Sequence, residues 1–275
     1  MAEPPNEPAL RFEHVTVSFD GEPALRDVSF AVPVGETRIL FGAAGSGKTV
    51  LLKTALGLER PESGRVFLFG QDITNMPEQQ LLQLRGKAGM LFQESALFDS
   101  MTIEENVAYP LLNQPAIQCP PTEVTKRVTD ALRFVDLEGT LEKFPSELSG
   151  GMRRRAAIAR AVVTEPPLLL YDSPTAGLDP ITANTIITLI VKQRDLRHTT
   201  TLIVTHRYKN GDVLANCRYS PDGGHLEEAR EGADGATTRT KFMVFKEGML
   251  IFEGGQAELE ASKDPYIAKF VGHNG

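Results

Sequence analysis

The first part of the chain alternates short apolar runs with turns. The runs contain β-branched and aromatic residues, with Gly, Pro and Asp between them, and this pattern is typical of β-strands. Four such runs come first, with sequences LRFEHVTVSF, LRDVSFAV, ETRILFG and RVFLFG. A helical pattern, GKTVLLKTALGL, separates the third run from the fourth. The sequence therefore predicts a β-rich N-terminal part that is interrupted by one helix.

The pattern changes to helices and loops in the middle of the chain. Between about Arg85 and Glu165 the clearest helical periodicities are TEVTKRVTDALRFVDL and GMRRRAAIARAVV. Strands then return as PLLLYD, TTLIVTH and KFMVFKEGMLIFEG. This order predicts an α/β nucleotide core, at about residues 10–86 and 166–272, that is split by a helical subdomain at about residues 87–165.

Two segments carry few large apolar residues. The start, MAEPPNEPAL, has neither the basic nor the apolar region of a secretory signal, and we predict a short disordered leader at residues 1–9. Residues 218–240 are Gly-rich and acidic, which predicts a solvated loop inserted before the final hairpin. Residues 10–272 are then expected to form a single domain.

Charge and composition narrow the classes of partner. The chain has 275 residues and a net charge of −7, which argues against nucleic acid as a main partner because phosphate backbones require a basic surface. No stretch approaches the roughly 18 consecutive apolar residues of a membrane span, so any membrane role would require a partner. Cys119 and Cys217 form no CxxC pair, which favours packing roles in a reducing cytosol.

The most specific motif is GAAGSGKT at residues 42–49. It fits G-x-x-x-x-G-K-[ST] at every fixed position, follows a predicted strand and begins a predicted helix. Glycines allow backbone N–H groups to converge on phosphates, and the helix N-terminus adds positive partial charge. We therefore predict that Lys48 reaches the outer phosphates of ATP and that the Thr49 hydroxyl coordinates Mg²⁺. The predicted nucleotide-binding residues here are Gly42, Ala43, Ala44, Gly45, Ser46, Gly47, Lys48, Thr49 and Val50.

A second part of the predicted site follows a later strand. The apolar run LLLYD ends in Asp172, which supplies a second link to Mg²⁺ when it is combined with the glycine-rich loop. A nucleotide-hydrolysing enzyme would hold a carboxylate for the attacking water beside this aspartate. The neighbour here is Ser173, which is neutral and short.

The motif LSGGM, residues 148–152, predicts another anion-binding helix start. It lies just before a helical pattern, so Ser149 and the N–H groups of Gly150 and Gly151 can bind an anion. One chain needs no second phosphate site for one nucleotide. We therefore expect this motif to complete the site of a partner chain.

Taken together, the chain resembles the ATP-binding subunit of an ABC transporter, from about Leu10 to Val271. The resemblance implies a P-loop NTPase (RecA-like) core with an N-terminal antiparallel β subdomain and a helical signature-motif subdomain. It implies that Phe19 stacks on adenine, that Gln93 contacts Mg²⁺ or water, and that His206 touches the γ-phosphate. Residues 177–179, which end in Asp179, resemble the D-loop. The implied partners are a permease and a second ATP-binding subunit, expected to be identical, at the cytoplasmic face of the inner membrane.

A narrower resemblance is to the MlaF group, whose ATPases drive lipid transporters that carry an MCE-domain protein. The family signature usually ends in Gln, whereas here Met152 ends it and RRRAAIARA follows. The stretch GMLFQESALFDSMTIEENVAYPL, residues 89–111, also resembles this group. The resemblance implies transport of phospholipid or another lipid across the bacterial envelope. The alternatives are a generic importer or exporter ATPase, a soluble ABC ATPase without a permease, and a nucleotide sensor that does not hydrolyse ATP.

Two expectations concern coupling and hydrolysis. Leu97, Phe98 and Met101 lie among acidic neighbours, and they either form the surface on which a permease helix docks or pack within the helical subdomain. At the position of Ser173 the family normally has a Glu. The lack of this carboxylate implies intact ATP binding and slow hydrolysis. A second, different cassette with a competent site and a serine introduced to trap ATP are alternative explanations.

Overall fold

The computed structural model describes residues 7–229 and 240–272. Its main sheet has six strands in the order β12-β11-β3-β8-β7-β6, of which only β12 is antiparallel to its neighbour. These strands are β3 (Thr37–Gly42), β6 (Ala88–Leu91), β7 (Leu168–Asp172), β8 (Thr200–Val204), β11 (Thr240–Lys246) and β12 (Met249–Gly254). Every residue of β3, β7 and β8 is buried, because helices or a second sheet cover both faces of the main sheet.

The N-terminal strands form a separate antiparallel sheet in the order β2-β1-β4-β5. Its strands are β1 (Leu10–Phe19), β2 (Glu22–Val32), β4 (Ser63–Leu68) and β5 (Gln71–Asp72). Along much of β1, buried residues alternate with more exposed ones, which is the pattern of a sheet with one face on the core. This sheet packs on one face of the main sheet.

Nine α-helices complete the described part of the chain. They are α1 (Lys48–Ala55), α2 (Glu78–Arg85), α3 (Ile103–Asn113), α4 (Pro121–Phe134), α5 (Gly150–Val162), α6 (Pro180–Arg197), α7 (Tyr208–Asn216), α8 (Gln256–Glu260) and α9 (Pro265–Val271). Among these residues no helix is long and apolar enough to cross a membrane. The start of α3 has a capping box between Thr102 and Glu105, and Pro121 provides the first residue of α4.

Successive residues of β3 belong to different halves of the core. Ile39 and Phe41 pack in a cluster with helices α3 to α7, whereas Leu40 packs with α1 and the antiparallel sheet. This alternation follows from the two-residue period of a strand. The carboxyl ends of β3, β8, β7 and β6 lie at one edge of the main sheet. Ligands of open α/β sheets bind at this edge.

Three sequence predictions require correction. Residues 88–91, assigned to the helical subdomain, form β6, because the short run AGML pairs in parallel with β7. The prediction of a solvated loop at residues 218–240 is wrong for its first part, since β9 (Cys217–Ser220) and β10 (His225–Glu228) form an antiparallel hairpin. Residues 230–239 lie outside the described part of the chain.

The predicted boundary between the disordered leader, residues 1–9, and the domain also changes. Ala9 is buried, and its carbonyl oxygen accepts a hydrogen bond from the N–H of Phe69 at 2.9 Å. The packed body therefore begins before Leu10. Residues 1–6 lie outside the described part.

Candidate nucleotide-phosphate site

The glycine-rich loop connects β3 to α1 through two close backbone approaches. A Cβ atom on Gly42 would lie 2.6 Å from the carbonyl oxygen of Phe245, on the neighbouring strand β11. Gly47 has a φ of +97°, and a Cβ atom there would lie 2.4 Å from the carbonyl oxygen of Ala24. Only glycine fits at these two positions, so the spacing of the motif has a direct steric cause.

Lys48 holds a buried positive charge inside the loop. Its ammonium donates hydrogen bonds to the carbonyl oxygens of Gly42 and Ala43, at 2.9 and 2.7 Å, and to the Ser46 hydroxyl at 2.9 Å. Burial lowers the pKa of Lys48 to about 8, and the charge of Asp172 partly opposes this effect. The loop therefore holds its cation by oxygen contacts that an incoming phosphate group could replace.

Thr49 and Asp172 form a pair of oxygen ligands beside this lysine. Asp172 is the buried last residue of β7, and its Oδ2 atom accepts a hydrogen bond from the Thr49 hydroxyl at 2.7 Å. Hydroxyl and carboxylate oxygens are the donors that Mg²⁺ prefers. These two side chains therefore fit a Mg²⁺ site, and Gln93 at the rim of the same cavity carries a third oxygen.

A cavity of about 300 Å³ brings together most of the predicted residues. Its lining consists of Ala24, Ala44, Gly45, Ser46, Gly47, Lys48, Thr49, Val50, Gln93, Asp172, Ser173, Val204 and His206. His206 is an exposed residue at the rim. Partial burial of its ring lowers its pKa, as does the charge of Lys48, while Gly42 and Asp172 act in the opposite direction. The imidazole is therefore biased towards its neutral form.

Ser173 lines this cavity at the first position after β7. It is buried and has a φ of +49°, in the left-handed region. Its N–H donates to the carbonyl oxygen of Val204 at 3.1 Å, and its carbonyl oxygen accepts from Ala176 at 3.0 Å. The backbone of the turn is thus held on both sides. The position is ordered, although its side chain carries no carboxylate.

Five predicted residues outside the glycine-rich loop do not line the cavity. Ser149 precedes α5 and its Oγ atom accepts a hydrogen bond from the N–H of Met152, while Asp179 caps α6 in the same manner. The exposed starts of α5 and α6 are neighbours, since a Cβ atom on Gly151 would lie 2.5 Å from Thr182. The five residues away from the cavity are Phe19, Ser149, Gly150, Gly151 and Asp179.

Several contacts of this site have no signal in the sequence. Ala24 and Val204 line the cavity only because the antiparallel sheet and β8 pack beside the loop. Gly42 and Ala43, although predicted to bind nucleotide, are not part of the lining and instead hold Lys48. The hydroxyl of Tyr266 accepts a hydrogen bond from the Ala43 N–H at 2.9 Å. No local signal links residues so far apart in the chain.

Arg154 is a further missed residue near the site. It is buried in α5 and donates to the carbonyl oxygen of Phe92, just before Gln93, at 3.3 Å. Burial lowers its pKa, whereas the nearby Asp172 raises it. The RRR run lies in a predicted helix, and the sequence gave no sign that one of its arginines turns inward.

A second, more apolar cavity of about 420 Å³ lies against the helical subdomain. Phe98 and Tyr109 lie at its surface, with 40% and 36% exposure and ring centres 4.8 Å apart. Arg160 lies 5.6 Å from the centre of the Phe98 ring and donates to the Ser95 carbonyl at 3.0 Å. Leu97, by contrast, packs on the core, and Met101 is half-buried. We name this surface, with Phe98, Tyr109 and Arg160, the aromatic groove.

Comparisons with known proteins agree with this geometry. The sequence profile described as "ABC transporter" matches residues 25–176. The chain is 39% identical over 198 residues, or 72% of its length, to the probable ribonucleotide transport ATP-binding protein mkl of Mycobacterium leprae. It is 37% identical over 74% of its length to the methionine import ATP-binding protein MetN of Corynebacterium jeikeium. The chain spans 56% and 55% of these two relatives.

A solved structure supports the fold. The dimeric ATP-binding cassette MJ0796, in a post-hydrolysis state bound to ADP and Pi, superposes with a TM-score of 0.74. The alignment covers 89% of this chain and 97% of that one, at 26% identity. The predicted fold class, a P-loop core with an antiparallel β subdomain and a helical subdomain, is confirmed. The chain belongs to the ABC transporter family.

Proposed function

We propose that this protein is the ATP-binding, energy-coupling subunit of a transporter in the membrane. The observation that carries the proposal is the cavity in which the glycine-rich loop, Lys48 and the Thr49–Asp172 pair meet. Backbone N–H groups of the loop bind the phosphates, and the Lys48 ammonium neutralises their charge. Bound Mg²⁺ would add a further positive charge there, held by Thr49, Asp172 and Gln93.

Catalysis at this site rests on positioning and charge neutralisation. Phosphoryl transfer has a loose transition state whose charge is spread over the phosphoryl oxygens, so fixed positive groups stabilise it. In the proposed mechanism, Gln93 positions the water and His206 donates a hydrogen bond to the γ-phosphate. Ser173 is a poor base, so water attack lacks an efficient proton acceptor and hydrolysis is slow.

A second copy of the chain completes the site in this proposal. Ser149 and Gly150 are exposed at the start of α5, away from the cavity, and their anion-binding groups are available to another subunit's nucleotide. Phe19, with 45% exposure, is equally available to stack on adenine. The exposed cap Asp179 lies beside the same interface in the head-to-tail arrangement. ATP then joins two chains, and its hydrolysis separates them.

The aromatic groove is the proposed contact with a membrane permease. An amphipathic helix that places apolar side chains between Phe98 and Tyr109 would bury both rings. Because Phe98 and Gln93 belong to one stretch of chain after β6, movement at the nucleotide is passed to the permease. This contact would hold the subunit peripherally at the cytoplasmic face of the membrane.

The substrate that we propose is lipid, moved by an MCE-type system. The support is Met152, which packs on the core where the signature usually has Gln, together with the sequence of residues 89–111. The names of mkl and MetN point to ribonucleotide or methionine transport as the alternative. The lipid and the small-molecule proposals can be distinguished by reconstituting the subunit with its permease and MCE protein and measuring transfer of labelled phospholipid. ATP-dependent uptake of ribonucleotide or methionine alone would contradict the lipid proposal.

The ATP-binding proposal has a direct test. Lys48→Ala should reduce ATP affinity by about a hundredfold or more, because a charge-assisted contact to each outer phosphate is lost. Lys53→Ala is the matched control, since Lys53 lies on the same helix, is not part of the cavity lining and pairs with Glu59 at 3.7 Å on the surface. Isothermal titration with MgATP measures both variants. Equal affinities for the two variants would contradict the assignment.

A further inference from the structure

The first peptide unit of the glycine-rich loop is held at both of its polar atoms. The carbonyl oxygen of Gly42 accepts a hydrogen bond from the Lys48 ammonium at 2.9 Å. The N–H of Ala43, which belongs to the same planar unit, donates to the hydroxyl of Tyr266 at 2.9 Å. Since a trans peptide is rigid and its C=O and N–H point in opposite directions, fixing one end fixes the other.

The Tyr266 hydroxyl uses both of its hydrogen-bonding functions here. It accepts from Ala43 and donates to the carbonyl oxygen of Phe245 at 3.0 Å. Phe245 pairs with Gly42 in the main sheet, so the hydroxyl bridges the end of β11 and the beginning of the loop. Phenylalanine could make neither contact, although its ring would fill the same space.

The ring of Tyr266 is itself held in place. Asp264 caps α9 and accepts the N–H of Tyr266 at 2.7 Å. Phe270, one turn later, lies edge-on to the Tyr266 ring at 5.3 Å and stacks on Phe41 of β3 at 5.9 Å. The hydroxyl therefore has a defined position relative to the strand that leads into the loop.

Without this contact the peptide unit has freedom to rotate. Gly42 has no Cβ atom to restrict the backbone on its side of the unit. Rotation would move the Gly42 carbonyl away from Lys48 and turn the Ala43 N–H towards another acceptor. The residues from Ala44 onwards line the cavity, whereas Gly42 and Ala43 do not, so the peptide acts through Lys48 and the loop that follows it.

We propose that Tyr266 is a positioning residue for phosphate binding, which fixes the Gly42–Ala43 peptide and thereby the Lys48 ammonium. This inference rests on the proposed ATP-binding function and extends it to the C-terminal helix. The described helix α9 thus supports the loop across more than two hundred residues of sequence.

The test compares Tyr266→Phe with Tyr219→Phe in the full-length chain. Tyr219 is a suitable control because it is half-buried, contacts Lys192 through its ring and lies outside the cavity. We expect Tyr266→Phe to weaken MgATP and MgADP binding by roughly three- to tenfold, because the hydrogen bond that fixes the Ala43 N–H is lost. The control should bind as the unmodified chain does, and thermal unfolding of each variant should show that it is folded at the assay temperature.

An NMR measurement separates positioning from general support of the fold. With ¹⁵N-alanine labelling, the Ala43 amide is identified as the signal lost in Ala43→Ser. In Tyr266→Phe this amide proton should shift upfield and exchange faster with solvent, while the other alanine signals stay in place. An unchanged Ala43 signal, or ATP affinity equal to that of Tyr219→Phe, would overturn the proposal. If Lys48→Ala also bound ATP normally, the phosphate site itself would be wrong, which is a different failure.

Discussion

At the scale of single residues, the site contains the groups proposed to bind phosphates but no carboxylate beside Asp172 to activate the attacking water. Lys48 and Asp172 are buried, and the exposed Thr49 donates a hydrogen bond to Asp172. Ser173 occupies an ordered turn directly after Asp172, and its hydroxyl ends well short of the space that a glutamate carboxylate would reach. In our proposal, this arrangement favours tight binding of nucleotide over rapid turnover.

Ser173→Glu should therefore accelerate ATP hydrolysis. General-base assistance is typically worth about 10²–10⁴-fold, and we expect a gain of at least about tenfold, which is about 1.4 kcal/mol in barrier. Steady-state phosphate release from both proteins, assembled with the permease, measures the gain. Ser173→Gln is the matched control, because it has the length of Glu without its basicity. Equal rates in all three proteins would show that another group already activates the water.

The lowered pKa of Lys48 leads to a pH effect on binding. Without nucleotide, the ammonium loses its proton as pH rises through about 8. Bound phosphates favour the charged form and raise this pKa, so binding above pH 8 requires uptake of a proton and the affinity falls as pH rises. Titration calorimetry at pH 8.5 in buffers of different ionisation enthalpy should detect this uptake, whereas little is expected at pH 7. No uptake at the higher pH would contradict the buried position of the lysine.

At the scale of elements, local pattern accounts for most of the fold. The strands and the major helices follow from β-branched runs and helical periodicity, and Thr49 and Asp172, both predicted as Mg²⁺ ligands, lie in hydrogen-bond contact. The predictions failed where contacts distant in sequence decide the structure. The AGML segment becomes a strand only because β7 offers a partner, and the hairpin β9–β10 has little apolar pattern of its own. Tyr266 reaches the loop from the C-terminal helix, and no spacing in the sequence indicates this contact.

The aromatic groove gives a prediction at the same scale. Phe98→Glu should release the subunit from membranes that contain the permease, because a buried charge would replace an apolar contact. Leu196→Glu is the matched control, since Leu196 has similar exposure, 45% against 40%, and is not part of the groove lining. Membrane flotation after co-expression measures retention, and ATP titration confirms that the variant still folds. Full retention of Phe98→Glu would place the docking surface elsewhere.

At the scale of the whole molecule, one chain divides the proposed site into two parts. The cavity holds the loop and the Mg²⁺ ligands, whereas the exposed start of α5, with Ser149, lies away from it. Each chain would therefore supply one part to each of two sites in a head-to-tail dimer. Slow hydrolysis at Ser173 would prolong the life of this dimer.

Sedimentation velocity with MgATP tests this central claim most directly. The unmodified chain should shift from monomer to dimer on addition of MgATP. Ser149→Arg should remain a monomer, because a bulky side chain blocks the exposed helix start, while it still binds ATP in its own cavity. Ser100→Arg, at an exposed serine before α3, should dimerise normally. A dimer of unchanged shape and stability in Ser149→Arg would contradict the shared site.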